Sequence, residues 1–110
     1  MNILIADDSK VNRLYIKKTI KHWFAHQMKL DKIDMHEAND GVETVKKIKI
    51  SNYDLVFFNM ILKNLGGIEI LKAINSLNLE KKPITVLNTS INNKRYQSTA
   101  IDLGVNYYLE

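Results

Sequence analysis

The sequence contains no cysteine, one proline and four glycines among 110 residues. Without thiols there is no disulfide framework, no thiolate zinc centre and no cysteine nucleophile, an absence that suits a reducing compartment. Long apolar runs are missing too. Ile3 to Ala6 gives way at once to Asp7 and Asp8, too short for a signal-peptide core. Nothing later approaches the roughly 20 apolar residues of a membrane span. A soluble, cytoplasmic chain without a membrane partner is expected. Linkers, repeats and low-complexity segments are also absent, so residues 1–110 read as one domain.

Charge is present but not concentrated. Sixteen basic against twelve acidic residues give +4, and the lysines fall in small groups such as Lys17, Lys18 and Lys21, or Lys46, Lys47 and Lys49. Each group sits in or beside a helix-like segment, where a solvated face accounts for it. No aromatic interleaving or helix-turn-helix signal accompanies them, which argues against nucleic acid as a partner.

Hydrophobic periodicity alternates short apolar runs with amphipathic stretches. Asn2 to Ala6 reads as a strand, and Ser9 as the N-cap of a helix carrying Val11, Ile16, Ile20 and Trp23. After a polar connection from Gln27 to Asp31, Ile33 to Ala38 reads as a second strand, and Asn39-Asp40-Gly41 opens a helix with Val42, Val45 and Ile48. Asp54 to Asn59 holds Leu55, Val56, Phe57 and Phe58 in a row, the pattern of a strand covered on both faces. Gly66-Gly67 then precedes a third helix with Ile68, Ile70, Leu71 and Ile74, and Pro83 starts a strand through Leu87. Asn92 or Asn93 caps a fourth helix that Gly104 ends, and Val105 to Leu109 is a last strand. The order βαβαβαβαβ implies an α/β, doubly wound parallel sheet whose ligand chemistry lies outside the carboxyl ends of the strands. Those ends carry Asp7 and Asp8, Asn59, and Asn88 to Ser90.

Two adjacent carboxylates at a strand end repel each other. A hard divalent cation is one resolution, since Mg²⁺ takes oxygen ligands and needs few carboxylates. Helix capping by one aspartate with the other solvated is the second.

Four ordered stretches carry a resemblance. Ile3-Leu4-Ile5-Ala6-Asp7-Asp8-Ser9-Lys10-Val11-Asn12-Arg13, Glu37-Ala38-Asn39-Asp40-Gly41-Val42-Glu43, Asp54-Leu55-Val56-Phe57-Phe58-Asn59-Met60 with Gly66-Gly67-Ile68-Glu69, and Gly104-Val105-Asn106-Tyr107-Tyr108-Leu109 follow one another at compatible spacing. Together they resemble the receiver domain of bacterial two-component response regulators, in the Val-Asn-Arg variant of hybrid kinases. The resemblance implies a flavodoxin-like fold with strand order 2-1-3-4-5.

It also implies a site. Asp7 and Asp8 match the family's Mg²⁺ pair and Ile61 its carbonyl donor, while the phosphoacceptor position is Asn59. A carboxamide cannot act as the nucleophilic carboxylate that forms an acyl phosphate, and one negative charge is lost beside the cation. Aspartyl phosphorylation is therefore not expected at this position, and any Mg²⁺ site is expected to be weak. Asp54 offers no rescue, lying about 16 Å away at the other end of its strand. In the site loop from Met60, Lys63 replaces the family's usual proline and Gly66, ahead of Gly67, its frequent aspartate, two changes expected to loosen the loop. Thr89 best matches the switch hydroxyl by distance from Asn59 and Gly104, although counting from Pro83 selects Asn88; helix capping is its bland alternative. Tyr108 matches the aromatic switch, with Tyr107 and Tyr108 otherwise one packed and one exposed strand residue.

The resemblance places the phosphate-binding lysine just after Glu110, followed by a fifth helix that residues 1–110 lack. An apolar strip of strands one and five beside helix one is then expected to be open to a partner or a second copy. The function expected is a receiver-type module of a phosphorelay that works by protein contacts with a histidine kinase or another signalling protein, without phosphorylation. A phospho-blocked or truncated form of an ordinary receiver is the alternative. An Mg²⁺-dependent phosphohydrolase ranks last, because His22, His26 and His36 fall in or near helix one and strand two and no glycine-rich phosphate loop is present.

Overall fold

A computed structural model describes residues 1–25, 32–90 and 93–109. The connection from Gln27 to Asp31, the candidate cap Asn92, His26 and Glu110 lie outside these described residues. The elements run β1 (Asn2–Ala6), α1 (Lys10–Phe24), β2 (Asp34–Ala38), α2 (Gly41–Ile50), β3 (Leu55–Asn59), α3 (Gly67–Ser76), β4 (Ile84–Asn88), α4 (Lys94–Asp102) and β5 (Tyr107–Leu109). All strand pairs are parallel, in the order β2-β1-β3-β4-β5. This is the doubly wound parallel sheet that the alternation implies, in the flavodoxin-like strand order that the resemblance implies.

Polar side chains start three of the helices. Ser9 Oγ accepts from Asn12 N–H at 3.2 Å, Asp40 Oδ1 from Glu43 N–H at 2.7 Å, and Asn93 Oδ1 from Arg95 N–H at 2.9 Å. Asn93 is thus the cap of α4. Gly104 follows that helix at φ +87°, a left-handed turn that other residues enter only at a cost.

Alternation along the strands divides the core in two. Leu4, Val56, Phe58 and Leu87 pack under α2, α3 and α4 with Ile48, Ile70, Leu71, Ile74 and Ala100. Ile3, Ile5, Phe57 and Val86 form the other cluster with Ile20 of α1.

Several sequence expectations need correction. Val11 and Trp23 do not face the core: they are 76% and 53% exposed. Nine residues separate Val11 from Ile20, half a turn out of phase at 3.6 residues per turn, so burying one exposes the other. Val42 is likewise exposed, while Thr44 of the same helix is fully buried. The last strand begins at Tyr107 and not Val105. Val105 N–H is held by Ala100 O at 3.0 Å, and Asn106 turns its side chain into Thr85, whose N–H and Oγ1 both donate to Asn106 Oδ1.

The open apolar face also differs from expectation. Strand one is not part of it, because Ile3 and Ile5 are completely covered in the cluster with Ile20. The exposed groove, of about 300 Å³, has a floor of Leu55, Phe57, Val86, Tyr107 and Leu109 and a wall of Ile20, Trp23 and Phe24. The reason is strand order: β1 lies under α1 with Ile3 and Ile5 packed on Ile20, whereas β3, β4 and β5 floor the groove beside that helix.

Candidate functional site

The carboxyl ends of β1, β3 and β4 open into one cleft of about 360 Å³, lined by Asp7, Asn12, Tyr15, Ile16, Asn59, Asn88, Thr89 and Ser90. Topology explains this convergence. In a parallel sheet every strand ends at the same edge, and the chain reverses its winding between β1 and β3, leaving a gap there.

Asp7 is buried, with 4% of its surface exposed. Its backbone is fixed on both sides: its N–H donates to Ala38 O at 3.1 Å, and its carbonyl accepts from Arg13 Nη1 at 2.5 Å. Asp7 Oδ1 accepts from Ser9 N–H at 2.8 Å, which aims the carboxylate back over the start of α1. Asp8, the second of the pair, is exposed. Arg13 is itself oriented by Glu37 of β2, its Nε donating to Glu37 Oε1 at 2.9 Å, with Lys17 on the other oxygen. The Arg13 guanidinium is the main cause holding the Glu37 carboxyl below the usual carboxylate range.

Asn59 closes β3, half-buried, and pairs in register with Asn88 of β4. Met60 N–H donates to Asn88 O at 3.0 Å, extending the pairing one residue past the strand. Gly67 packs tightly against this point. A Cβ there would stand 3.0 Å from Met60 Cα and 3.1 Å from Asn59 O. Thr89 is buried, its N–H donating to Leu109 O at 2.9 Å, and Tyr108 is half-buried against the α4 side of the core while Tyr107 is 60% exposed.

Of the residues singled out from sequence, Asp7, Asn59, Asn88, Thr89 and Ser90 line the cleft together. Ile61 does not: its side chain is 60% exposed and borders a separate hollow with Met60, Glu69 and Arg95. Asp54 sits at the opposite end of β3, accepting from Asn2 N–H at 2.8 Å and pairing with Lys81 at 3.3 Å, so it is remote from the cleft as expected. His36 donates to or accepts from the buried Tyr53 hydroxyl at 2.7 Å, a packing role. Among the described residues, no group of three His, Cys, Asp or Glu gathers as a metal cluster, and no helix is long and apolar enough to cross a membrane.

Asn12 and Tyr15 line the cleft without having been singled out. Both follow from helical phase, since Asn12, Tyr15 and Ile16 are spaced three and four residues apart on α1 and share the face turned toward the strand ends. Asn88 was legible as a strand-end residue, but the register that sets it opposite Asn59 is a property of the folded sheet.

The family model described as response regulator receiver domain matches residues 3–110. The chain belongs to that family. As a receiver it is a domain of two-component signalling, in a family of signalling domains rather than classical enzymes. It is 33% identical over 78 residues to the sensor protein EvgS of Escherichia coli, a match covering 71% of this chain and 6% of that protein. The chain therefore spans a small fraction of that relative's length. It is 28% identical to the chemotaxis protein CheY1 of Helicobacter pylori, covering 99% of this chain and 83% of that one. Among solved structures, the Francisella response regulator 1452 receiver domain superposes with a TM-score of 0.73 at 27% identity, covering 98% of this receiver and 81% of that chain.

Proposed function

We propose that this receiver signals through protein contacts in a single conformation, without accepting a phosphoryl group. The observation that carries the reading is Asn59 at the carboxyl end of β3, in the cleft with buried Asp7. Its carboxamide nitrogen lone pair is delocalised and its oxygen is uncharged, so the acyl phosphate that a carboxylate forms is out of reach. With no phosphate there is no differential contact to move Thr89 or Tyr108, the residues matched to the family's switch, from one arrangement to another.

Receivers bind Mg²⁺ at the acceptor site, where the ion neutralises charge on the phosphoryl oxygens. Asp7, Asp8 and the Ile61 carbonyl are the residues that would hold it here. They fit the ion in kind, being hard oxygen donors. With Asn59 beside them the site has two carboxylates in place of three, one of them engaged by Ser9 N–H, so binding is weak.

The test is intact-mass spectrometry after incubation with acetyl phosphate and Mg²⁺. The wild type should gain no phosphoryl group; an adduct on it overturns the reading. Asn59→Asp separates two versions of the proposal. An adduct on that variant marks a receiver blocked only at residue 59, and no adduct marks a site altered in further respects.

The contact surface follows from the groove between α1 and β5, where Trp23, Tyr107 and Leu109 expose apolar area beside buried Phe57 and Val86. A segment of chain following Glu110, a signalling protein such as a histidine kinase, or a second copy of the chain covers it. Sedimentation of the isolated chain at micromolar concentration distinguishes these: a dimer supports the second copy and a strict monomer excludes it.

A further inference from the structure

The loop from Met60 to Gly66 is fastened, contrary to the looseness expected from Lys63 and Gly66. Its inner residues Met60 and Leu62 are buried, and Ile61 between them is exposed. One end is closed by Gly67 N–H donating to Met60 O at 2.8 Å. The far side is attached to the first turn of α2. Gly41 N–H, which as the first residue of a helix has no partner within it, donates to Lys63 O at 3.0 Å. Leu65 lies so close to Gly41 that a Cβ there would meet Leu65 O at 1.8 Å. Asn64 adopts φ +70°, a conformation asparagine tolerates better than most residues, and its Nδ2 donates to Asp40 Oδ2 at 2.9 Å. The other oxygen of the same carboxylate, Oδ1, caps α2 through Glu43 N–H at 2.7 Å.

We infer that Asp40 is a two-sided clamp, one oxygen capping α2 and the other holding Asn64, which makes the α2 start and the Met60–Gly66 loop a single opening unit and keeps Ile61 presented in one conformation. The inference rests on the proposed phosphorylation-independent reading for its purpose, since direct recognition requires a surface that does not move. Its physical basis is independent of that reading. Both donors favour the ionised carboxyl, and the Glu43 N–H followed by Asn64 holds Asp40 below the usual carboxylate range. A cap alone would use one oxygen and leave the loop to open separately.

Two substitutions divide the clamp. Asp40→Ser retains a good capping oxygen for Glu43 N–H but has no second oxygen for Asn64. Asn64→Gly retains the left-handed backbone and removes the donor. Amide hydrogen exchange on the full chain should show Gly41, Leu65 and Gly67 exchanging about three- to tenfold faster in each variant, the loss expected of one hydrogen bond. Thr44, whose N–H donates to Asp40 O at 3.1 Å, should stay within about twofold of wild type in Asp40→Ser because the cap survives. The double variant should exchange no faster at the loop than the faster single. Unchanged loop exchange in either single variant, or effects that multiply in the double, overturns the clamp. Neither residue 59 nor acetyl phosphate enters this measurement, so a phosphoryl adduct on the wild type would overturn the proposed function and leave the clamp standing.

Discussion

Gly41→Ala tests whether the α2 start and the site loop are in true backbone contact. The added methyl would sit 1.8 Å from Leu65 O and 2.5 Å from both Leu65 C and Leu65 Cβ. Real Cβ contacts stay beyond 3.0 Å, so the loop must retreat by about 1.2 Å, and backbone cannot swing aside as a flexible side chain would. Overpacking of this kind costs about 1–3 kcal/mol. The Gly41 to Lys63 hydrogen bond is lost with it, worth about 0.5–1.5 kcal/mol. Against this stands the helix preference of alanine over glycine, at most about 1 kcal/mol and less at a helix start. The balance is a destabilisation of about 2 kcal/mol, which in a two-state domain of this size lowers Tm by roughly 8–12 °C. Urea and thermal unfolding followed by far-UV circular dichroism would read it. Gly104→Ala is the control: its φ of +87° strains any side chain, but nothing lies within 4 Å, so its cost is backbone alone, about 1–2 kcal/mol. If Gly41→Ala matches or exceeds wild-type stability, the contact between α2 and the loop is wrong, and the clamp loses its base.

Three further outcomes are expected. Because Arg13, and then Lys17, lower the Glu37 pKa from its ordinary 4.5, the stability they contribute is complete above that pH and is lost as pH falls through the lowered value; Arg13→Gln should flatten this part of the acid limb in urea titrations, and an unchanged limb refutes it. Asn106→Ala should cost about 1–3 kcal/mol by stranding Thr85, 3% exposed, whose N–H and hydroxyl both donate to Asn106 Oδ1, whereas Asn106→Asp, which keeps the acceptor, should cost less by the same unfolding assay. Trp23→Lys, on the rim of the groove at 53% exposure, should leave stability within about 0.5 kcal/mol and abolish any dimer seen by sedimentation. A dimer that survives it uses another face.

Element types and order were legible because each strand and helix carries its own signal. Leu55 to Phe58 could hardly be anything but a central strand, and Ser9, Asp40 and Asn93 announce helix starts through local hydrogen bonding that needs no distant partner. The helix faces were less legible. Val11, Val42 and Trp23 are apolar, and counting apolar residues cannot separate those turned inward from those that rim a groove. The site was legible as a set of strand ends but not as a constellation. Asp7, Asn59 and Thr89 share a cleft, while Ile61 belongs to a neighbouring hollow by its side chain. The fastening of the loop through Asp40 and Asn64, 24 residues apart, had no local signature at all.

By itself the sequence determined that no thiol chemistry is available and that the central strand ends in a carboxamide, Asn59. It also determined the parallel fold, since alternating strands and helices leave little choice of winding. Only the tertiary structure decided which polar groups meet. Register set Asn88 beside Asn59, strand order placed β1 under α1 and left β3 to β5 flooring the groove, and the approach of Leu65 to Gly41 bound the loop to α2. Those outcomes depend on packing between segments far apart in the chain, where a residue's neighbours along the sequence carry no information about its neighbours in space.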